Sequence, residues 1–131
     1  MRRQADLGAV EALFLMGTAH DEGLGVAEDP AVAVTWFQKA AAAGHTLAEH
    51  SIGNAYAAGR GVAADPAAAV TWWTRAALKG DAVPQLRLGE AYERGTGVAA
   101  DRAQARRWYA DAAARGNAAA KLALERLGSP R

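Results

Sequence analysis

Gly59-Arg60-Gly61-Val62-Ala63-Ala64-Asp65-Pro66 decides the fold. Glycine readily takes the left-handed backbone conformation that ends a helix. Asp followed by Pro starts one: the carboxylate accepts from free N–H groups of the first turn, and proline occupies the first helical position, where no N–H is missed. The segment therefore reads as a stop, a loop and a start, with Val62 turned back onto the core.

The same pattern stands 36 residues to either side. Gly23-Leu24-Gly25-Val26 precedes Asp29-Pro30, and Gly95-Thr96-Gly97-Val98 precedes Asp101, where Arg102 replaces the proline. Further columns keep that spacing: Trp36, Trp72 and Trp108; Ala40-Ala41, Ala76-Ala77 and Ala112-Ala113; Gly8, Gly44, Gly80 and Gly116; and Met16-Gly17, Ile52-Gly53 and Leu88-Gly89. His20, Tyr56 and Tyr92 follow the last set three residues after each glycine. A fixed internal period of this length is the mark of a stacked repeat architecture.

Each period reads as two helices. Ala12, Met16, Ala19 and His20 form one helical stripe in the first, or A, helix. The second, or B, helix carries Ala33, Trp36 and Ala40 on one face, with Phe37, Trp73 and Tyr109 beside the three column tryptophans. Adjacent residues on a helix point about 100° apart, so one ring is expected to fill its own repeat while the other touches the next. The tryptophans are expected to anchor the core, each contributing roughly 4–6 kcal/mol as an upper bound on burial. Trp72→Ala is accordingly expected to destabilise by about 3–5 kcal/mol. At the ends, residues 1–8 align with the last turn of a B helix, and residues 117–127 make a lone A helix before Gly128-Ser129-Pro130.

The expected fold is all-α: an α/α solenoid of about three helix-turn-helix repeats (9–44, 45–80 and 81–116) and a C-terminal capping helix (117–127), in one domain spanning 1–131. Alanine, 36 of 131 residues, favours helix over strand. The net charge of +1 argues against nucleic acid as a partner. The absence of cysteine excludes a disulfide scaffold and a thiolate site. Apolar stretches fall short of the roughly 18–20 residues of a membrane span. Met1-Arg2-Arg3 is basic, but Asp6 and Glu11 interrupt any apolar core behind it, so no signal peptide is expected and the default compartment is cytoplasmic unless the chain is a fragment of an exported protein.

The pattern Ala48-x-x-x-Ile52-Gly53-x-x-Tyr56-x-x-Gly59-x-Gly61-Val62-x-x-Asp65, then Ala69-x-x-Trp72-Trp73-x-x-Ala76-Ala77-x-x-Gly80, resembles the Sel1-like repeat family, relatives of the tetratricopeptide repeats. Pro84 and His20 depart from it, tolerably. The resemblance implies a right-handed superhelix and a scaffold whose concave face holds a peptide or partner protein, often in bacterial signalling and envelope processes. It also implies where the partner sits, along the A helices: Phe14, Thr18, Asp21 and Glu22; His50, Asn54, Ala57 and Ala58; Leu86, Glu90, Glu93 and Arg94. Phe14, Thr18, Glu22, His50, Asn54, Leu86, Glu90 and Arg94 are the expected partner-binding set. A branch of the family with reported penicillin-binding or β-lactamase activity relies on disulfides, which a chain without cysteine lacks.

No convergent catalytic set is visible. The Gly-x-Gly loops follow helices rather than strands and lack the Lys-Ser/Thr pair of a phosphate cradle. His20, His45 and His50 are scattered, so no metal is expected. Ser51 beside His50 points about 100° away from it, a poor arrangement for nucleophilic catalysis. Glu90 and Glu93 share a face and read as solvated surface rather than an acid–base pair. Charge is divided: residues 1–65 carry 8 acidic and 4 basic side chains, residues 66–131 carry 6 and 11. Arg94, Arg102, Arg106, Arg107 and Arg115 could thus steer an acidic partner. The expected function is a non-enzymatic protein-interaction module without cofactor or metal, of open oligomeric state. The alternatives are an immunity or inhibitor protein against a secreted bacterial effector, and a β-lactam-recognising envelope hydrolase.

Overall fold

A computed structural model describes residues 4–128, which form seven helices and no strand. Met1–Arg3 and Ser129–Arg131, with the basic start and part of the terminal breaker, lie outside the described residues. The chain divides into two compact units, Met1–Asp65 and Pro66–Arg131. The first holds α1 (Gln4–Glu22), α2 (Pro30–Ala42) and α3 (Thr46–Ala58); the second holds α4 (Pro66–Leu78), α5 (Ala82–Arg94), α6 (Arg102–Ala114) and α7 (Ala118–Leu127). Within each unit consecutive helices pack on one another: α1 on α2 and α2 on α3, then α4 on α5, α5 on α6 and α6 on α7. Among the described residues no helix is long and apolar enough to cross a membrane.

The start signals act as their chemistry dictates. Asp29 accepts from the Val32 N–H at 3.2 Å and Asp101 from the Gln104 N–H at 3.1 Å. The turns into the A helices use a different cap in each period: His45 Nδ1 accepts from the Ala48 N–H (3.1 Å), Asp81 from the Val83 N–H (3.3 Å) and Asn117 from the Ala120 N–H (2.8 Å). This explains one departure from expectation. Of the stretch aligned with a B-helix end, residues 1–3 lie outside the described residues, and residues 4–8 do not form a separate helix end; α1 runs from Gln4 through Gly8. Gly44, Gly80 and Gly116 have positive φ and each precedes a capping side chain, whereas Gly8 precedes Ala9, which has nothing to accept with. A mid-helix glycine costs only about 1 kcal/mol, so the helix continues.

The second departure concerns the rings. Trp36, Trp72 and Trp108 are only half-buried; their neighbours Phe37, Trp73 and Tyr109 are the core, at 6%, 8% and 1% exposure. The reason lies on the A helices. A Cβ on Gly17 would stand 2.5 Å from the Phe37 ring, and one on Gly89 2.5 Å from the Tyr109 ring. Gly17 and Gly89 are each a slot that admits a flat ring from the following helix, and only one of two adjacent aromatic side chains can face it. The outer indoles carry cations instead: Lys39 Nζ lies 4.6 Å from the Trp36 centroid and Arg75 Cζ 4.5 Å from that of Trp72.

The A-helix stripe is buried in α3 and α5 (Ala48 and Ile52; Pro84 and Leu88) but Ala12 and Met16 are exposed on α1. α3 packs on α2 and α5 on α4, while among the described residues no helix precedes α1 to cover the same stripe.

The Gly-x-Gly loops serve two purposes. The Gly59 N–H (as C-cap of α3) and the Arg60 N–H both reach the Ala55 carbonyl, and the Asp65 N–H closes the loop on the Tyr56 carbonyl at 2.9 Å. Asp101 does the same on Tyr92 (2.8 Å) and Asp29 on His20 (2.7 Å); the acceptor is backbone, so His20 replaces a tyrosine at no cost to the loop. The second glycine lies where backbones meet. A Cβ on Gly61 would be 2.4 Å from the Pro30 carbonyl oxygen, and one on Gly97 equally close to that of Pro66.

Candidate binding cleft

In the first unit, α1, α2 and α3 frame a cleft of about 200 Å³. Val34, Phe37, Ala55 and Ala58 give it an apolar lining; Asp21, Ser51, Asn54 and Arg60 supply the polar groups. Arg60, the variable residue of its Gly-x-Gly loop, crosses to the end of α1: Nε donates to Asp21 Oδ1 at 3.0 Å, and Nη2 to the Asp21 carbonyl at 2.7 Å and to Glu28 Oε1 at 3.1 Å. These carboxylates, Asp21 foremost, raise the already high Arg60 pKa further, so the site holds a fixed cation between two anions.

Above the Phe37 ring the face is closed. Phe14 lies 5.6 Å from Phe37, centroid to centroid, and stacks on the His45 imidazole at 4.5 Å and 16°. Because His45 Nδ1 accepts from the α3 backbone, the ring donates from Nε2 to Glu11 at 2.8 Å.

In the second unit the comparable face of α5 and α7 is bridged. Arg126 grips Glu93 with two parallel bonds, Nη1 to Oε2 at 2.6 Å and Nη2 to Oε1 at 2.8 Å, and the Tyr109 hydroxyl donates to Oε1 at 2.6 Å. Arg126 first, then Tyr109, pull the Glu93 carboxyl down to about 2, while burial, then the bond to Glu93, push the Tyr109 phenol up. A carboxyl depressed in the fold stabilises above its ordinary value near 4.5, and loses that contribution as pH falls toward 2. Acid titration of the melting temperature should therefore show a loss between about pH 4.5 and 2 that is smaller in Glu93→Gln; identical acid profiles would mean that the bridge does not form in solution.

The residues expected to bind a partner are dispersed over these faces. Phe14 is half-buried in the aromatic cluster, and Thr18, one turn on, donates its hydroxyl to the Phe14 carbonyl (3.2 Å). Glu22 and Arg94 are exposed at the ends of α1 and α5. His50 is half-buried on α3, and Asn54 sits on the cleft. Leu86 packs against the buried cluster of Ala105, Tyr109, Ala112, Ala120 and Leu127. Glu90 pairs with Arg87 at 2.9 Å. Of the arginines read as a steering surface, Arg102 and Arg106 donate to the Leu127 carbonyl and tie down the end of α7. Sequence reasoning weighed Ser51 only as a nucleophile and passed over Arg60 and Arg126 as site residues. The signal for the last two was present, as the cations in columns otherwise filled by Leu24 and Thr96, and by Thr18, Asn54 and Glu90.

A model for the Sel1 repeat matches residues 10–45, 46–81 and 85–117. Among solved structures, the chain superposes on a Sel1 repeat protein from Oxalobacter formigenes with a TM-score of 0.84 and 42% identity, covering 92% of this chain and 91% of that one. It matches c5321, a protective antigen of uropathogenic Escherichia coli strains displaying an SLR fold, with a TM-score of 0.84 and 39% identity over 88% of its own length. The chain spans only 25% of that antigen. Cysteine rich protein B of Helicobacter pylori superposes with a TM-score of 0.73 at 21% identity, covering 89% of this chain and 90% of that one, a likeness of fold alone. No curated protein matches. Sel1 repeats generally mediate protein interactions.

Proposed function

As this chain belongs to the Sel1 repeat family, we propose that it is a non-enzymatic interaction module that holds a polypeptide segment against the A-helix faces of its units. The observation that carries this reading is the cleft beside Asn54, where groups able to hydrogen-bond a peptide rim an apolar floor. The columns that vary from repeat to repeat are those on this surface, while the ring and glycine columns beneath hold the frame constant. The period runs past residue 65 without slipping, which supports reading both units as one repeat domain.

A library of displayed peptides selected on the full chain tests the proposal. Selected sequences should share a motif and lose at least about tenfold in affinity to Asn54→Ala or Arg94→Ala. Selection without a motif, or motif peptides indifferent to both substitutions, rejects the surface.

A further inference from the structure

The open cleft of one unit and the closed bridge of the other occupy the same columns, 72 residues apart: Asp21 and Glu93, Phe37 and Tyr109, Asn54 and Arg126, Ala55 and Leu127. In the second unit the larger pair is at home, Leu127 buried and Arg126 bonded twice to Glu93. In the first, Asn54 and Ala55 fall short, and the cleft of about 200 Å³ lies beside them. The carboxylate that would receive a guanidinium is nevertheless kept. Arg60 takes Oδ1 of Asp21 from the loop side, and Oδ2 accepts from none of the described residues.

We infer that the cleft takes an arginine side chain of the partner polypeptide, seated on Asp21 as Arg126 sits on Glu93. This deepens the proposed function and rests on it. Size supports the assignment, since the cleft is smaller than the roughly 300–1,000 Å³ of small-molecule pockets and suits a single side chain. Charge supports it as well: Asp21 and Glu28 outnumber Arg60, and residues 1–65 carry a net charge of −4 from 8 acidic and 4 basic side chains. Arginine is favoured over lysine because its flat guanidinium can grip a carboxylate with two parallel bonds, the geometry of Arg126 on Glu93.

The test is an NMR titration of the full chain with the acetylated, amidated tripeptide Gly-Arg-Gly and its lysine, citrulline and glutamate counterparts. The arginine peptide should shift the Asn54 side-chain amide and the backbone signals of Ser51 and Ala55. It should bind at least about tenfold more tightly than the citrulline peptide, which keeps the shape and lacks the charge. Asp21→Asn should erase that preference. Asn54→Arg should supply the missing side chain from within, raising the melting temperature and abolishing the response. Citrulline or glutamate bound as tightly at the same signals would overturn the arginine assignment and leave the interaction surface standing. A response that persists in Asn54→Arg would overturn it too. Silence from all four tripeptides would also overturn it, and the library selection then judges the surface independently.

Discussion

Tyr109→Ala should destabilise the protein by about 3–5 kcal/mol, and Trp108→Ala by less than half of that. Tyr109 is 1% exposed, lies across Gly89 and donates its hydroxyl to Glu93. Truncation removes the ring from a slot that backbone cannot collapse into, and leaves Glu93 with Arg126 alone. Trp108 is half-buried and its loss is met partly by solvent. Tyr109→Phe isolates the hydroxyl and should cost about 1.5–3 kcal/mol, the range for a hydrogen bond to a charged acceptor. Urea denaturation followed by circular dichroism reads all three; a Trp108→Ala loss equal to that of Tyr109→Ala would place the indole, not the phenol, at the seam between helices.

Gly61→Ala should destabilise by roughly 2–4 kcal/mol and Gly25→Ala by only about 1–2. Both glycines have positive φ, +80° and +78°, so the conformational penalty on a side chain is shared. The difference is steric. A Cβ on Gly61 lands 2.4 Å from the Pro30 carbonyl oxygen, which is backbone and cannot turn aside, whereas one on Gly25 meets nothing within 4 Å. Equal losses in the two variants, measured as thermal midpoints, would mean that the loop does not seat against the start of α2.

The contrast between these glycines shows how far the sequence could be read. The period located every helix from α2 to α7, because each boundary has its own chemistry: a capping Asp, a Pro at the first position, a left-handed Gly. It erred at Gly8, since the same letter stops a helix only when an acceptor such as His45, Asp81 or Asn117 follows to begin another. It also chose the wrong ring of each aromatic pair. Trp36 and Phe37 are both plausible core residues by composition, and what decides between them is the glycine slot on a helix some 20 residues away. The A-helix columns were located, but not the way they combine. Asn54 sets the cleft only together with Asp21, Phe37 and Arg60, drawn from three helices and a loop, and no single column reports such a meeting. Comparing Asn54 with Arg126 would have hinted at it, by showing where one unit spends a long side chain and the other does not.

The contacts at Gly61 and Gly97 are made to the carbonyl of the residue 31 positions earlier, Pro30 and Pro66, and involve no side chain. This contact is set by main chain alone and asks for no matching side chain. Any whole period placed beside another brings its own gauge for the distance to its neighbour, so the number of hairpins can change without any side chain on the A-helix faces having to change with it.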